Sequence, residues 1–386
     1  MKKPFMVWLA LAWCWLPATP AIAEFRIGFK AFVEVGYNSR DKEMTNNAKN
    51  SVNNVFINMP SSSRIYGRFR EENVSGYFEL GLSHSRRNPG NVKFRKLYGE
   101  YSFGNSKLQA GQTEPLTARF VSPQYLGSAV ESQSSGREVN SRSLLRGCGT
   151  PNYNRVPVVN YTYRSGHISL QAGAFAGPGG RVSGTVTDPG EDIDRYWDLP
   201  GLEFSVGYKT SRFYIAPGFA WGRVRWQGVP KGEDDAVAAW LVNLPFQINC
   251  GPAVLRLNPY YGRNIGAFTR NDRNGYGKPI LVDEEFKDVT QYGGWVHLGV
   301  KFGIVSANLI YGHSHYRNDD WARQGAASWV NDNYSRNAYV INFPVAVATN
   351  FHLVPELGYY DYGDRPQDNV NLGKEILAGV QFQIEY

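Results

Sequence analysis

The chain has 386 residues, of which 14% are aromatic, with 24 Tyr and 41 Gly but only 3 Cys and 4 Met. A formal charge of +7 is mild for this length and excludes the strongly basic balance of a nucleic-acid-binding protein. No run past the N-terminal segment reaches the roughly 18 consecutive apolar residues of a transmembrane helix, and a mean hydropathy of −0.40 suits an exported β-protein or a membrane barrel whose strands are half polar.

The first 23 residues read as a secretory signal peptide. Lys2 and Lys3 give a basic start, Phe5 to Leu16 is an unbroken apolar run, and Ala21-Ile22-Ala23 offers small residues for cleavage before Glu24. The apolar run is too short to span a bilayer. Cys14 lies upstream of the cut, which argues against a lipoprotein signal. Residues 24–386 are then one domain.

From Glu24 onward, segments of alternating polarity recur between turn residues, and helical periodicity does not. The alternation predicts strands at 25–38, 62–71, 75–84, 93–104, 106–113, 156–165, 167–176, 201–210, 212–225, 236–249, 252–263, 290–302, 304–316, 336–348, 351–362 and 374–386, sixteen in all. Tight connections at 71–74, 104–105, 165–166, 210–211, 250–251, 303 and 349–350 alternate with long ones at 39–61, 114–155, 177–200, 226–235, 264–289, 317–335 and 363–373. An even number of strands joined by alternating short turns and long loops is the signature of a transmembrane up-and-down β-barrel, an all-β antiparallel fold. A Greek-key sandwich has no reason to keep such an order.

Side chains change face at every residue of a strand, so the pattern assigns two faces. Phe25, Ile27, Phe29, Val33 and Val35 share one face of the first strand, opposite Arg26, Lys30 and Glu34. In the second, Ile65 and Phe69 oppose Arg64, Arg68 and Arg70. The apolar face is expected to meet lipid and the polar face a wet interior, which avoids burying unpaired polar groups. The chain closes on Val380, Phe382, Ile384 and Tyr386, alternating to its last residue; this strand is expected to pair with the first, leaving no edge, with the Tyr386 ring at the membrane boundary.

The signal peptide, sixteen strands and the aromatic C-terminal strand "VQFQIEY" resemble the trimeric porins of Gram-negative outer membranes. "LYGEYSFGNSKLQAGQT", leading into a long third loop, is also similar to porin-like proteins of sulfate- and metal-reducing bacteria. The third-loop "PEFGG"-type motif of enteric porins is absent, so their constriction residues do not transfer directly. The resemblance implies an outer-membrane homotrimer, with the first strands and the last at its interface, surrounded by lipid and lipopolysaccharide. It implies passive diffusion of small hydrophilic solutes and ions, no cofactor, and a third loop folded back into the lumen.

On that reading, residues 114–155 narrow the channel, with Glu114, Arg119, Glu131, Arg137, Glu138 and Arg142, together with Arg146 and Arg155, as charged candidates. Wall candidates are Arg64, Arg68, Arg70, Lys96, Glu34 and Glu100, with Glu79 beside them. Basic rings favour anions, and the surplus is basic, so a weak anion preference is expected. The alternative is that these arginines brace the wall or sit in loop tips. A substrate-specific channel with a ladder of aromatics or arginines, and a barrel plugged by its third loop and used as an adhesin or receptor, remain as rivals.

Other features carry less. Acidic runs at 188–194, 233–235, 283–285 and 318–320 could bind calcium or bridge lipid phosphates, but none has a calcium-loop spacing, and solvated loop surface explains them. His313 and His315 could hold a metal or belong to the interfacial belt beside Tyr311. An outer-membrane phospholipase would need an exterior Ser–His pair with an orienting third group. The scattered histidines, including the inward His297, offer none, and no enzyme is expected. Cys148 and Cys250 could form a disulfide in an oxidising envelope, but their places in the long third loop and a tight turn argue against it.

Overall fold

The computed structural model describes residues 24–41, 52–60, 62–83, 90–126, 144–150, 155–177, 180–183, 192–197, 199–227, 236–268, 279–282, 285–319, 333–364 and 371–386. The proposed signal peptide lies outside them.

Sixteen antiparallel strands form one closed barrel. In chain order they are β1 (Glu24–Arg40), β2 (Val52–Asn58 and Arg64–Glu71), β3 (Val74–Ser83), β4 (Asn91–Phe103), β5 (Ser106–Thr113), β6 (Val156–Ser165), and β7 (Ile168–Phe175, continued by Gly180–Ser183). There follow β8 (Asp192–Trp197 and Gly201–Lys209), β9 (Phe213–Ile215 and Gly218–Gln227), β10 (Ala236–Asn243 and Phe246–Cys250), β11 (Ala253–Arg263) and β12 (Thr290–Phe302). The circuit ends with β13 (Val305–Arg317), β14 (Asn333–Asn342 and Val345–Ala348), β15 (Phe351–Asp361) and β16 (Lys374–Glu385). Each strand pairs with its neighbours in sequence, and β16 closes on β1 from Lys30 opposite Glu385 to Arg40 opposite Glu375.

Several strands are divided where proline interrupts the ladder. Pro217, Pro245 and Pro344 sit between the two parts of β9, β10 and β14, and each still offers its carbonyl, to Val206, Ala216 and Ser306. Five of the seven short turns follow one rule, the exceptions being Thr349–Asn350 and the turn after Lys209. Two residues separate the paired ends, and the first has a positive φ: Glu72 (46°), Gly104 (54°), Gly166 (55°), Gly251 (60°) and Gly303 (58°). That is the type II′ pattern, whose twist matches the flanking strands.

Residues 39–61 are not the long loop that the sequence suggests. β1 runs on to Arg40 and pairs with Val52–Asn58, so both strands of this hairpin rise further. The connection 177–200 likewise carries a hairpin that extends β7 and β8, and 264–289 carries a separate small one, Ile280–Val282 with Glu285–Lys287. Neither changes the circuit of sixteen.

The two faces follow the alternation. Phe25, Ile27, Phe29, Val33 and Val35 are exposed on the outside of β1, while Glu34, Asn38 and Arg40 are buried inside. The outward apolar band runs round the barrel through Phe204, Val206, Leu298, Leu309 and Phe382. Two apolar clusters lie within. One joins Leu126 and Leu145 of the 114–155 connection to Trp295, Ile310 and Tyr360 of the wall. The other joins Ile265 and Phe268, just after β11, to Val158, Phe175, Val224 and Leu241.

Aromatic rings lie across facing glycines where strands pair. Gly36 faces Phe56, Gly67 faces Phe78, Gly201 faces Phe175 and Gly28 faces Tyr66. A Cβ on Gly36 would stand 2.6 Å from the Phe56 ring and 2.7 Å from the Ala378 carbonyl oxygen. Gly36→Val is therefore expected to cost about 1–3 kcal/mol as an overpacked contact. It should lower the temperature at which the folded barrel shifts to unfolded mobility in a heat-modifiability gel; an unchanged midpoint would refute the close fit.

Candidate functional site

The described parts of the connection between β5 and β6 lie against the inner wall. Its first part, residues 114–126, holds only one short 3-10 turn, Leu116–Ala118, so its backbone groups need partners from the wall. Two inward carboxylates supply acceptors. Glu203 of β8 accepts from the amides of Leu116 (2.8 Å) and Thr117 (3.2 Å) and from the Thr117 hydroxyl (3.3 Å). Glu356 of β15 accepts from the amides of Tyr125 and Leu126, both at 2.8 Å. Inward amide side chains donate to the carbonyls between. Asn243 reaches Thr117 (2.8 Å), Asn258 reaches Phe120 (3.2 Å), Asn342 reaches Pro123 (3.0 Å) and Gln381 reaches Tyr125 (2.8 Å).

The segment therefore runs round the inner wall from β8 to β16. Phe120 stacks on Trp295 with ring centroids 5.3 Å apart. The returning part, residues 144–150, is held at β13, where Ser314 accepts from the Gly149 amide (2.7 Å) and donates to the Gly147 carbonyl (3.1 Å). It lies so close that a Cβ on Gly312 would stand 2.3 Å from the Cys148 carbonyl oxygen. Two amides converge on each carboxyl, so these two side chains fasten the two ends of the segment. Neither was singled out from the sequence, where each reads as one more inward polar residue.

Charge collects on the arc β2–β5. A β-bulge between β3 and β4 places both Lys96 and Arg95 against Glu79, because Lys96 faces Glu79 while Phe94 faces Leu80. Glu79 is buried and pairs with Arg95 and with Arg64 (3.4 Å), and it accepts from the Tyr77 hydroxyl (2.9 Å). Strict alternation assigns Lys96 to the wall and hides Arg95. The signal was the odd spacing of the outward Phe94 and Leu97, which a regular strand cannot place on one face.

A second centre is Glu114, paired with Lys96 (2.7 Å) and Arg155 (2.8 Å). Burial would raise its carboxyl, but Arg155 and Lys96 outweigh that and hold it at about 2. Arg119 is exposed and donates to the Gln109 side-chain oxygen (2.9 Å) and the Glu114 carbonyl (3.3 Å). Glu100 accepts from Lys107 (2.6 Å) and Gln109 (2.9 Å). Arg68 and Arg70 are exposed on the inner face of β2, and Arg68 lies 5.7 Å from the Tyr77 ring centre.

The remaining sequence candidates fall elsewhere. Glu34 is inward and fully buried, accepting from Gln381 (2.9 Å), the residue that also holds Tyr125. Glu131, Arg137, Glu138 and Arg142 lie outside the described residues. His297 faces inward and bonds Asn308 (2.8 Å). His313 and His315 face outward, bonded to Asn337 (2.9 Å) and Ser335 (2.7 Å). Cys148 is buried and Cys250 exposed, and no disulfide joins them.

No family model matches the sequence, and a search of curated proteins finds no relative. Solved structures do match. The fold is similar to that of the outer membrane channel DcaP of Acinetobacter baumannii, at 15% identity and a TM-score of 0.70 over 95% of this chain and 99% of that one. It is similar to an anion-selective porin from Comamonas acidovorans, at 12% identity and a TM-score of 0.60 over 94% of this chain and all of that one (100%). It is also similar to the trimer form of OmpT of Vibrio cholerae, at 12% identity and a TM-score of 0.53 over 94% and 99% of the two chains. At these identities the likeness is one of fold.

Glu114 sets up a test of the interior charge. Its depressed carboxyl keeps both ion pairs intact above an ordinary carboxyl's 4.5, and they are lost only as pH falls through about 2. In ion-permeation assays across a bilayer, Glu114→Gln should therefore shift selectivity toward anions at pH 7 and equally at pH 4. A wild type that drifts toward the variant between pH 6 and 4 would contradict the strong pairing.

Proposed function

We propose that this chain is an outer-membrane porin, exported by a leader over residues 1–23, that lets small hydrophilic solutes and ions diffuse passively with a weak preference for anions. The observation that carries the reading is the contrast of faces: a closed barrel with an apolar exterior, whose interior gathers Arg64, Arg68, Arg95, Lys96 and Arg119 against Glu79, Glu100 and Glu114. An apolar band meets lipid without leaving strand edges, and a wet charged interior gives ions a path. The reading assigns the chain no catalytic step and no cofactor. Assembly as a homotrimer among lipid and lipopolysaccharide belongs to the same proposal, supported by the trimeric form of one structural neighbour.

The mechanism is electrostatic and steric. The segment from Glu114 to Leu126 thickens the wall from β8 to β16, so solutes pass along the arc β2–β5. Cations there lower the barrier for anions, and their pairing with Glu79, Glu100 and Glu114 keeps the preference modest.

Purified protein in a planar bilayer under a tenfold KCl gradient tests this. Conductance steps are expected, with a reversal potential displaced toward that of chloride, and Arg68→Glu with Arg119→Glu should displace it toward potassium. A silent bilayer with insertion confirmed would overturn the channel in favour of a plugged barrel that acts through its loops. An unchanged reversal potential in the double variant would remove these arginines from the path.

A further inference from the structure

Three inward tyrosines form a row on the arc β2–β4. Tyr66 and Tyr77 have ring centroids 6.2 Å apart with planes 29° apart, and Tyr77 and Tyr98 are 5.5 Å apart at 32°. Tyr66 lies across Gly28, its Cζ and Oη each 2.4 Å from where a Cβ would stand, so its ring is laid along the wall. The other two continue at shallow angles, and all three stay partly exposed. Tyr66 packs on Gly28 and Tyr77 bonds Glu79, and these contacts leave part of each ring open to the interior.

The groups beside the row are polar in both senses. The Arg68 guanidinium lies 5.7 Å from the Tyr77 ring centre and has no carboxylate partner among the described residues. Glu79 is buried under Arg64, Arg95 and Tyr77, but Glu100, bonded to Lys107 and Gln109, stays partly exposed beside the row, and a carboxylate with roughly four lone-pair sites can accept a further donor. Benzoate would find its anion at Arg68 but would bring no donor for Glu100. A sugar acid brings a flat C–H face for the rings, hydroxyls for Glu100 and an anion for the arginine.

We infer that Tyr66, Tyr77 and Tyr98 form a binding track for acidic saccharides, with Arg68 receiving the uronate carboxylate. The inference rests on the channel reading and names the solute class that lingers in it.

The test is block of single-channel current by digalacturonate, with galactose and benzoate as comparisons. Wild type should be blocked by digalacturonate at lower concentration than by either comparison. Tyr77→Ala with Tyr98→Ala should raise the half-blocking concentration roughly tenfold, the loss expected for two ring contacts. Tyr77→Phe with Tyr98→Phe, which keeps the rings, should retain most of the block, and Arg68→Gln should weaken block by the uronate but not by galactose. Unchanged block in the alanine variant, or equal block by benzoate, would overturn the track and leave the channel standing. A silent wild type overturns the channel reading instead. Calorimetric titration of the detergent-solubilised barrel with digalacturonate then decides the track: heat abolished by the alanine pair supports it, and no heat overturns it.

Discussion

A backbone amide facing hydrocarbon has no water to bond, so every strand in a membrane must have a neighbour on both sides. The rest of this structure depends on that requirement being met at one seam. β1 and β16 are the ends of the chain's strand series, and their pairing turns a sheet with two edges into a ring with none. The seam is completed at its last residue. Tyr386 exchanges two backbone hydrogen bonds with Phe29, both 2.9 Å, and their rings stack at 5.8 Å. An inside and an outside exist only because the ring closes, and the division of labour between faces follows.

The same accounting governs the interior, where the 114–126 segment has almost no internal hydrogen bonds of its own. Its amides find Glu203 and Glu356, and its carbonyls find Asn243, Asn258, Asn342 and Gln381. Inward polar residues thus do two different things. On β8 to β16 they satisfy a backbone laid over them, and Leu126, Trp295 and Ile310 pack beneath it. On β2 to β5 they pair among themselves and face the open interior. One chemical class serves as fastening on one side and as lining on the other.

That difference explains what could be read from the sequence. Period-two alternation carries the barrel, since Phe25 to Val35 and Leu202 to Tyr208 each show one wet and one apolar face. It fails where composition misleads: "VNNVFIN" looks like an asparagine-rich loop, yet Val55 and Ile57 point outward while the asparagines pair across to β1. It fails again at Arg95, where one inserted residue breaks the parity. The fastening role of Glu203 and Glu356 was not legible, because it belongs to contacts 87 and 231 residues apart in the chain.

The fastened segment also has an electrical consequence. It thickens one side of the interior with a ribbon whose one charged side chain between Pro115 and Leu126, Arg119, turns toward Gln109 of β5. The exposed inward cations Arg68 and Arg70 lie on the other side, so charge is uneven across the interior. On the proposed channel reading, a rigid dipolar solute entering the interior is turned with its negative end toward β2–β5. Two isomers of equal size and net charge, carrying that charge at different ends of the same frame, would then cross at different rates, sorted by how they must lie sideways.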